Sequence, residues 1–195
     1  MFKPKLDLVD NLIIRPIEMT DIDDVFALAQ SSNYGLSTLP KKWDLLESKI
    51  AKSIDSFNRF VTVPKDELYL FVLVDISEKP EKVVGVSGIL SNVGAYDNFY
   101  TYKQSVIEQK KQSLNPDDFN SFHTVLELSR QTFSSSELCT LYLHPDYRSS
   151  GVGRFLSLSR LVFIAKNRKR FKESVIAEIR GQCFPNGSCP FWDFV

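Results

Sequence analysis

Residues 136–154 read Ser136-Glu-Leu-Cys-Thr-Leu-Tyr-Leu-His-Pro-Asp-Tyr-Arg-Ser-Ser-Gly-Val-Gly-Arg154. The apolar first part predicts a strand over 137–143, and the last part opens a helix that we expect over about 152–168. Between them, the turn Arg148-x-x-Gly151-x-Gly153 leaves the first backbone N–H groups of the helix without internal partners. Their aligned dipoles favour an anion, and glycine lets that anion approach the backbone. The stretch therefore predicts a strand–turn–helix unit that binds a pyrophosphate.

The helix after this turn is expected to be amphipathic. Its apolar face consists of Phe155, Leu156, Leu158, Leu161, Val162 and Ile164. A further strand is predicted over 174–180, and a helix that joins two strands in this way makes them parallel neighbours. The basic run 166–172 has two interpretations: cations that offset the dipole at the helix end, or a contact with phosphate or a partner.

The rest of the chain also mixes strands and helices. Strands are predicted at 12–17, 69–75 and 83–90, and helices at 21–30 and 43–57. Thr20 is the expected N-cap of the first helix, and strands 69–75 and 83–90 should pair antiparallel. We expect an irregular excursion at about 92–133, with a short helix and a strand near 124–128. Pro190 is placed to begin a last helix.

Composition narrows the classes of function. The chain has 195 residues, 43% of them hydrophobic, which fits a single domain over 1–195 with a sizeable core. Lys plus Arg and Asp plus Glu balance at 24 each, so no global field favours nucleic acid as a partner. No apolar run is long enough to span a bilayer, so we expect no membrane partner.

Cysteine usage predicts a reducing compartment, and the cytoplasm is the expected location. The three cysteines, Cys139, Cys183 and Cys189, make an odd count without a secretory segment at the N-terminus. Cys183 and Cys189 are too far apart, and the chain's 2 histidines too few, for a zinc site. We therefore expect no metal.

The strand–turn–helix unit resembles the acyl-CoA pyrophosphate loop of the GCN5-related N-acyltransferase superfamily, whose pattern is Gln or Arg, two residues, Gly, one residue, Gly or Ala. Longer segments are similar to the N-terminal half of the arginine N-succinyltransferase family. These segments are Gly-Leu-x-x-Leu-Pro at 35–40, Lys82-Val-Val-Gly85, 135–143, Pro145-Asp-Tyr-Arg148, Val175-Ile-Ala-Glu-Ile-Arg-Gly181 and Pro190-Phe-Trp192. The resemblance covers essentially the whole chain and is loosest at about 101–133.

The resemblance implies an α/β fold with a GCN5-related acyltransferase-like mixed sheet flanked by helices, incomplete at its C-terminal edge. It implies transfer of a succinyl group from succinyl-CoA, the acyl donor, to the α-amino group of arginine, in arginine degradation. In this superfamily the strand before the loop splays from its parallel neighbour, and the pantetheine lies in the gap. The alternative is a non-catalytic remnant of the family that binds acyl-CoA or a partner.

The resemblance also places the cofactor. The family's acyl-CoA contact falls on Leu141, and backbone N–H groups from about Ser149 to Arg154 should take the pyrophosphate. The expected cofactor-binding residues are Leu141, Tyr142, Leu143, Arg148, Ser149, Ser150, Gly151, Val152, Gly153 and Arg154. Tyr142 should face away from Leu141 and Leu143, since strand residues alternate. Arg148 and Arg154 either fork onto phosphate oxygens or face solvent.

Glu137 is the candidate catalytic residue. Its carboxylate at a strand end either accepts the proton of the attacking amine or is a solvated or ion-paired surface group. Cys139 is either a nucleophile or a small buried side chain, and His144 either an exposed loop residue or an acid–base group. Glu178 and Arg180 either bind the substrate arginine or form a cross-strand ion pair.

The sequence departs from the family in two ways. The family's proteins are longer, and the histidine that is their proposed proton donor lies in a second half without counterpart in residues 1–195. The usual Asp of the Leu-Asp-Pro-Asp segment is here His144. We expect the remainder to come from a second half, a second subunit or a homo-oligomer, since an open edge strand pairs readily. The loop 33–40 either lines the acceptor side or simply connects two helices.

Overall fold

The computed structural model describes residues 11–32, 36–94, 100–109, 121–130, 135–148, 151–179, 181, 184, 186 and 188–194. The described strands are β1 (Leu12–Pro16), β2 (Leu68–Asp75), β3 (Lys82–Leu90), β4 (Tyr100–Gln109), β5 (Ser121–Arg130), β6 (Ser136–Leu143) and β7 (Val175–Ile176). The described helices are α1 (Ile22–Ser31), α2 (Trp43–Asn58), α3 (Val152–Lys166) and α4 (Pro190–Phe194). The chain divides into two compact units, Met1–Val93 with Ser135–Val195, and Gly94–Ser134.

The first unit is built on a mixed sheet in the order β1-β2-β3-β6-β7. The pairs β1–β2, β2–β3 and β3–β6 are antiparallel, whereas β6 and β7 are parallel. The antiparallel pair of β2 with β3 and the parallel pair after the α3 crossover are both as predicted. The sheet therefore changes its pairing mode at β6, the strand that leads into the glycine turn.

Strand β2 lies at the centre of the core, since all of its residues are buried. Leu70, Val72 and Val74 pack in a cluster with residues of α1 and α2. The alternate residues Tyr69, Phe71 and Leu73 pack in clusters that contain residues of α3. Two helices thus cover one face of the sheet and α3 covers the other, which is a mixed sheet flanked by helices.

Helix α3 buries Leu156 and Ile164 as predicted, but not the rest of the predicted apolar face. Its buried residues are Val152, Leu156, Arg160 and Ile164, one in every four along the helix. Four of the residues predicted to face the core are instead 42–54% exposed: Phe155, Leu158, Leu161 and Val162. The helix is apolar on both sides, so periodicity alone could not show which stripe faces the sheet.

Asp21, rather than the predicted Thr20, organises the start of the first helix. The backbone N–H of Glu18 donates to Asp21 Oδ2 at 2.8 Å, within a 3₁₀ turn at Met19–Asp21. Arg15 donates from both terminal nitrogens to the same buried carboxylate, at 2.7 Å each. The Asp21 carboxylate therefore joins β1 to the 3₁₀ turn that precedes α1.

The second unit contains an antiparallel hairpin of β4 and β5, with register Tyr100↔Arg130 through Gln109↔Ser121. The strand predicted near 124–128 is present within β5, but no helix occurs among the described residues of 94–134. Most described side chains of the two strands are exposed, so no apolar pattern marks them, and the main-chain ladder needs no buried face to form. That residues 1–195 fold as a single domain stays a prediction.

None of the helices in the described part of the chain has both the length and the apolar character needed to cross a membrane.

The central position of β2 gives a prediction for stability. Leu70 is fully buried, and we expect Leu70→Ala to lower the free energy of unfolding by about 2–5 kcal/mol through lost contacts and a cavity. The matched control is Leu45→Ala on α2, where the leucine is 56% exposed and the loss should stay within about 0.5 kcal/mol. Urea denaturation of both variants measures the difference. Equal losses would contradict the layer assignment.

Candidate functional site

The site begins where the pairing of β6 with β7 stops. The two strands pair only at Ser136↔Val175 and Glu137↔Ile176, so the strand predicted over 174–180 is much shorter than expected. Residues 177–179 leave the sheet and, with β6, line a cleft of about 670 Å³. The lining residues are Leu36, Ser37, Thr38, Glu137, Leu138, Cys139, Thr140, Leu141, Ser157, Arg160, Ala177, Glu178 and Ile179. The cleft therefore occupies the gap between two diverging parallel strands.

A β-bulge shapes the β6 wall of the cleft. Cys139 pairs with Gly88 and Tyr142 with Val86, so Thr140 and its successor stand opposite a single residue of β3. The φ of Thr140 is +47°, in the left-handed region that threonine seldom adopts. Because of the extra residue, Cys139 and Tyr142 pack in the same core cluster although three positions separate them. Strict alternation thus fails at the bulge.

The bulge leaves Leu141 exposed on the cleft wall, with 42% of its surface accessible. Tyr142 and Leu143 are buried in different core clusters, on opposite faces of the sheet as predicted. The Tyr142 hydroxyl lies 3.1 Å from Ser31 Oγ of α1 and is outside the cleft lining. Of the three predicted contacts on β6, only Leu141 presents its side chain to the cleft.

The loop before α2 holds the bulge in place. The Thr140 N–H donates to Thr38 Oγ1 and the Thr140 hydroxyl donates to the Thr38 carbonyl, each at 3.2 Å. Lys49 on α2 donates from Nζ to the same carbonyl and, at 3.3 Å, to Thr140 Oγ1. These contacts offset a left-handed backbone that costs about 1–2 kcal/mol. The described part of the loop, 36–40, therefore forms a wall of the cleft through Leu36 to Thr38.

Glu137 is a buried carboxylate on the cleft wall. Burial raises its pKa, the negative charge of Glu178 adds to that rise, and Lys49 lowers it in part. Among the described residues, no side chain or backbone group forms a hydrogen bond or salt bridge with the Glu137 carboxylate. A carboxyl with a raised pKa can accept and release a proton nearer neutrality than an exposed glutamate.

Cys139 is buried and is a poor candidate for a nucleophile. Burial raises the pKa of its thiol, an effect that the positive charge of Lys49 only partly opposes. Since the thiolate is the nucleophilic form, this environment favours the inert, protonated side chain. The interpretation of Cys139 as a small buried residue is the one that the environment supports.

Arg160 lies among the cleft-lining residues and was not among the predicted site residues. It is only 4% exposed, and burial lowers its pKa. Nη1 donates to the Cys139 carbonyl at 3.1 Å, Nη2 to Ser157 Oγ at 2.9 Å, and Nε to the Ser157 carbonyl at 3.2 Å. The sequence carried no signal for it, because periodicity did not show that the stripe of α3 through Arg160 is the buried one.

The glycine turn leads into α3 as predicted. Gly151 is the N-cap with φ +90°, and a methyl group there would meet no atom within 4 Å, so conformation and not space requires glycine. Val152 is buried, so only its backbone is available to a ligand. A methyl group on Gly153 would lie 3.9 Å from Leu143 Cδ2, an ordinary contact distance.

The two arginines beside the turn differ in their surroundings. Arg148 donates from Nε to the Leu143 carbonyl at 3.0 Å, and its guanidinium lies 5.5 Å over the Tyr142 ring. Arg154 is exposed on the first turn of α3. Ser149, Ser150 and Arg180 lie outside the described residues, as do Asn33 to Gly35 of the preceding loop.

The chain matches the family model described as arginine N-succinyltransferase beta subunit over residues 12–195. It belongs to that family. The arginine N-succinyltransferase of Yersinia pestis (strain Pestoides F) is 38% identical over 182 residues, which are 93% of this chain and 50% of that protein. The enzyme of the same name from Enterobacter sp. (strain 638) is 38% identical over 183 residues, 93% of this chain and 51% of that protein.

A solved structure of this family also matches the fold. The arginine/ornithine succinyltransferase subunit AI from Pseudomonas aeruginosa superposes with a TM-score of 0.84 at 31% identity, covering 93% of this chain and 54% of that one. The predicted family and the predicted acyltransferase-like mixed sheet are both confirmed. The chain spans about half the length of the curated relatives it matches.

His144 has a local role in the turn that follows β6. Its Nδ1 accepts a hydrogen bond from the Asp146 N–H at 3.4 Å and caps the turn Pro145–Tyr147. Among the described residues, no group of three or more His, Cys, Asp or Glu side chains could hold a metal ion.

The environment of Glu137 gives a prediction for the pH dependence of stability. A raised pKa in the folded state means that ionised Glu137 costs stability, and the cost grows as the pH rises through that pKa. We expect Glu137→Gln to increase the free energy of unfolding at pH 8, and the difference to vanish at about pH 3–4, below the ordinary range for glutamate.

Urea denaturation at both pH values provides the measurement. Glu173→Gln is the matched control, because Glu173 is exposed, and it should show no such pH-dependent gain. A Glu137→Gln variant that is less stable than wild type at pH 8 would show that the ionised carboxylate is favoured in the folded protein.

Proposed function

We propose that the cleft binds an acyl-CoA and that this chain takes part in succinyl transfer from succinyl-CoA to the α-amino group of arginine. The observation that carries the proposal is the early end of the β6–β7 pairing, on a strand whose other end leads into a 15-residue helix without acidic residues in its first turn. The names of the relatives supply the acyl group and the acceptor.

The donor's pyrophosphate is assigned to the start of α3. The backbone N–H groups of Val152, Gly153 and Arg154 belong to the first turn, and the helix dipole favours an anion there. Ser149, Ser150 and Gly151 are assigned to the same site from the family pattern. Arg154 is exposed at the helix end that disfavours a cation without an anion nearby, which supports a phosphate contact.

The pantetheine arm is assigned to the gap between β6 and residues 177–179. In this position the arm runs from the turn along β6, past the exposed Leu141 and toward Glu137. The Thr140 N–H already donates to Thr38, so we assign the thioester contact to Leu141 and not to Thr140. A backbone donor beside the thioester carbonyl would stabilise the charge that develops on its oxygen.

The acceptor is assigned to the end of the cleft that carries two carboxylates. Glu178 is exposed there, and Glu137 is buried. With Arg180, Glu178 is the proposed arginine contact, and Glu137 is the proposed acceptor of the amine proton. The neutral amine attacks the thioester carbon, the C–N bond forms, the C–S bond breaks, and CoA leaves as the thiolate, which takes up a proton.

We also propose that the exposed apolar face of α3 is covered by the equivalent of the half that the relatives carry in addition to the matched part. The face consists of Phe155, Leu158, Leu161 and Val162. Contiguous apolar surface of this kind marks an interaction site, and this chain spans only about half of its relatives.

Binding of a dye that fluoresces on apolar surfaces tests whether a partner covers this face of α3. The chain should bind the dye, and Leu158→Ser with Val162→Ser should reduce the signal. Addition of the complementary half of the Yersinia pestis relative should quench the signal of wild type only. No change on addition, or loss of the signal by self-association of this chain, would contradict the assignment.

Titration calorimetry with CoA tests the donor site. Gly151→Ala forces a methyl group onto a left-handed residue and should weaken CoA binding roughly 5- to 30-fold, or about 1–2 kcal/mol. Gly181→Ala is the matched control, because no positive φ is involved and no atom lies within 4 Å of the added methyl group. An unchanged CoA affinity in Gly151→Ala would show that the pyrophosphate does not bind at this turn.

A thiol-release assay with succinyl-CoA and arginine separates the enzyme from the alternative. Turnover supports the enzyme, whereas binding of succinyl-CoA without turnover favours a non-catalytic acyl-CoA-binding role for this chain.

A further inference from the structure

Arg160 is a buried cation without a carboxylate partner among the described residues. Its guanidinium donates to two carbonyl oxygens and one hydroxyl, all of them uncharged. Glu137 and Glu178 line the same cleft, yet neither forms a salt bridge with it. A buried charge is costly unless it is paired, so the charge of Arg160 calls for an anion.

The position of Arg160 separates it from the proposed pyrophosphate site. It lies eight residues after Val152, which places it roughly 12 Å along the axis of α3 from the first turn. Its guanidinium is bound to the carbonyl of Cys139, two residues past the last β6–β7 pair. An anion at Arg160 would therefore lie at the depth of the cleft assigned to the thioester.

The contacts of the guanidinium leave it able to bind a ligand. A guanidinium carries more N–H donors than the three that Arg160 uses in these contacts. Ser157 and Cys139, which hold it, are themselves cleft-lining residues. The side chain is thus fixed in a single orientation at the cleft, and the unused donors suit the planar oxygens of a carboxylate.

We propose that Arg160 binds the terminal carboxylate of the transferred acyl group and so selects a dicarboxylic acyl donor. The inference rests on the proposed function of the cleft and identifies Arg160 as the residue that recognises the acyl group of the donor. The helix that offers its N-terminus to the pyrophosphate also carries Arg160, so one rigid element contacts both ends of the donor. The carboxylates at Glu137 and Glu178 instead suit the cationic acceptor.

Two acyl-CoA thioesters of nearly equal size test the proposal. Succinyl-CoA carries the terminal carboxylate, and butyryl-CoA replaces it by a methyl group. We expect wild type to bind succinyl-CoA roughly 10- to 100-fold more tightly in titration calorimetry, as a charge-assisted contact requires. A neutral tail would leave the buried guanidinium unpaired.

The variant Arg160→Gln should reduce this preference to within about threefold while its affinity for CoA itself stays within about threefold of wild type. Arg160→Lys, which keeps the charge but loses the fork, should retain part of the preference. Arg59→Gln, at an exposed arginine on the surface, is the matched control and should leave the preference intact.

The outcomes separate this inference from the proposed function. If CoA binds wild type but succinyl-CoA shows no advantage over butyryl-CoA, the role of Arg160 is wrong and the donor site stands. The comparison of succinyl-CoA with butyryl-CoA uses wild type only, so it tests the proposal even if Arg160→Gln does not fold. An undiminished preference in folded Arg160→Gln would also overturn it, and no binding of CoA to wild type would overturn both.

Discussion

The parallel pairing of β6 with β7 ends after two residue pairs, and the candidate site depends on that early end. In an unbroken parallel sheet, the main-chain groups of β6 would continue to pair with the neighbouring strand, and no ligand could enter between them. Here residues 177–179 diverge and the gap becomes a cleft. The glycine turn lies at the other end of the same strand, at the helix N-terminus that favours an anion.

Several polar groups compensate for the lost pairing. Thr140 takes a left-handed conformation, and both the hydroxyl oxygen and the carbonyl oxygen of Thr38 accept hydrogen bonds from it. Arg160 binds the Cys139 carbonyl, which offsets the cost of an unpaired buried acceptor. The same substitutes for strand pairing bring a cation and hydroxyl groups to the cleft wall. The groups that stabilise the open edge of β6 are thus the same groups that line the cleft.

The elements of the central sheet could be predicted from sequence because apolar runs and turn residues mark them locally. Strands β2, β3 and β6 and the glycine turn before α3 are of this kind. The bulge at Thr140 could not be predicted, since its left-handed backbone is stabilised by Thr38, distant in sequence. Because of this bulge, strict alternation failed to describe β6. The strand predicted over 174–180 is formed only at Val175–Ile176.

The hairpin and the buried face of α3 were missed for other physical reasons. Strands β4 and β5 pair through the main chain while most of their described side chains remain exposed, so no apolar alternation marks them. Helix α3 is apolar on two faces, and only the sheet decides that the stripe through Arg160 is buried. The charged group of greatest interest in the cleft was hidden by that ambiguity.

A crystal structure of the chain with bound CoA would show where the donor lies. We expect the pyrophosphate against the backbone N–H groups of the first turn of α3, and the pantetheine between β6 and residues 177–179. CoA bound at any other surface, or β6 and residues 174–180 paired along their whole length, would contradict this expectation.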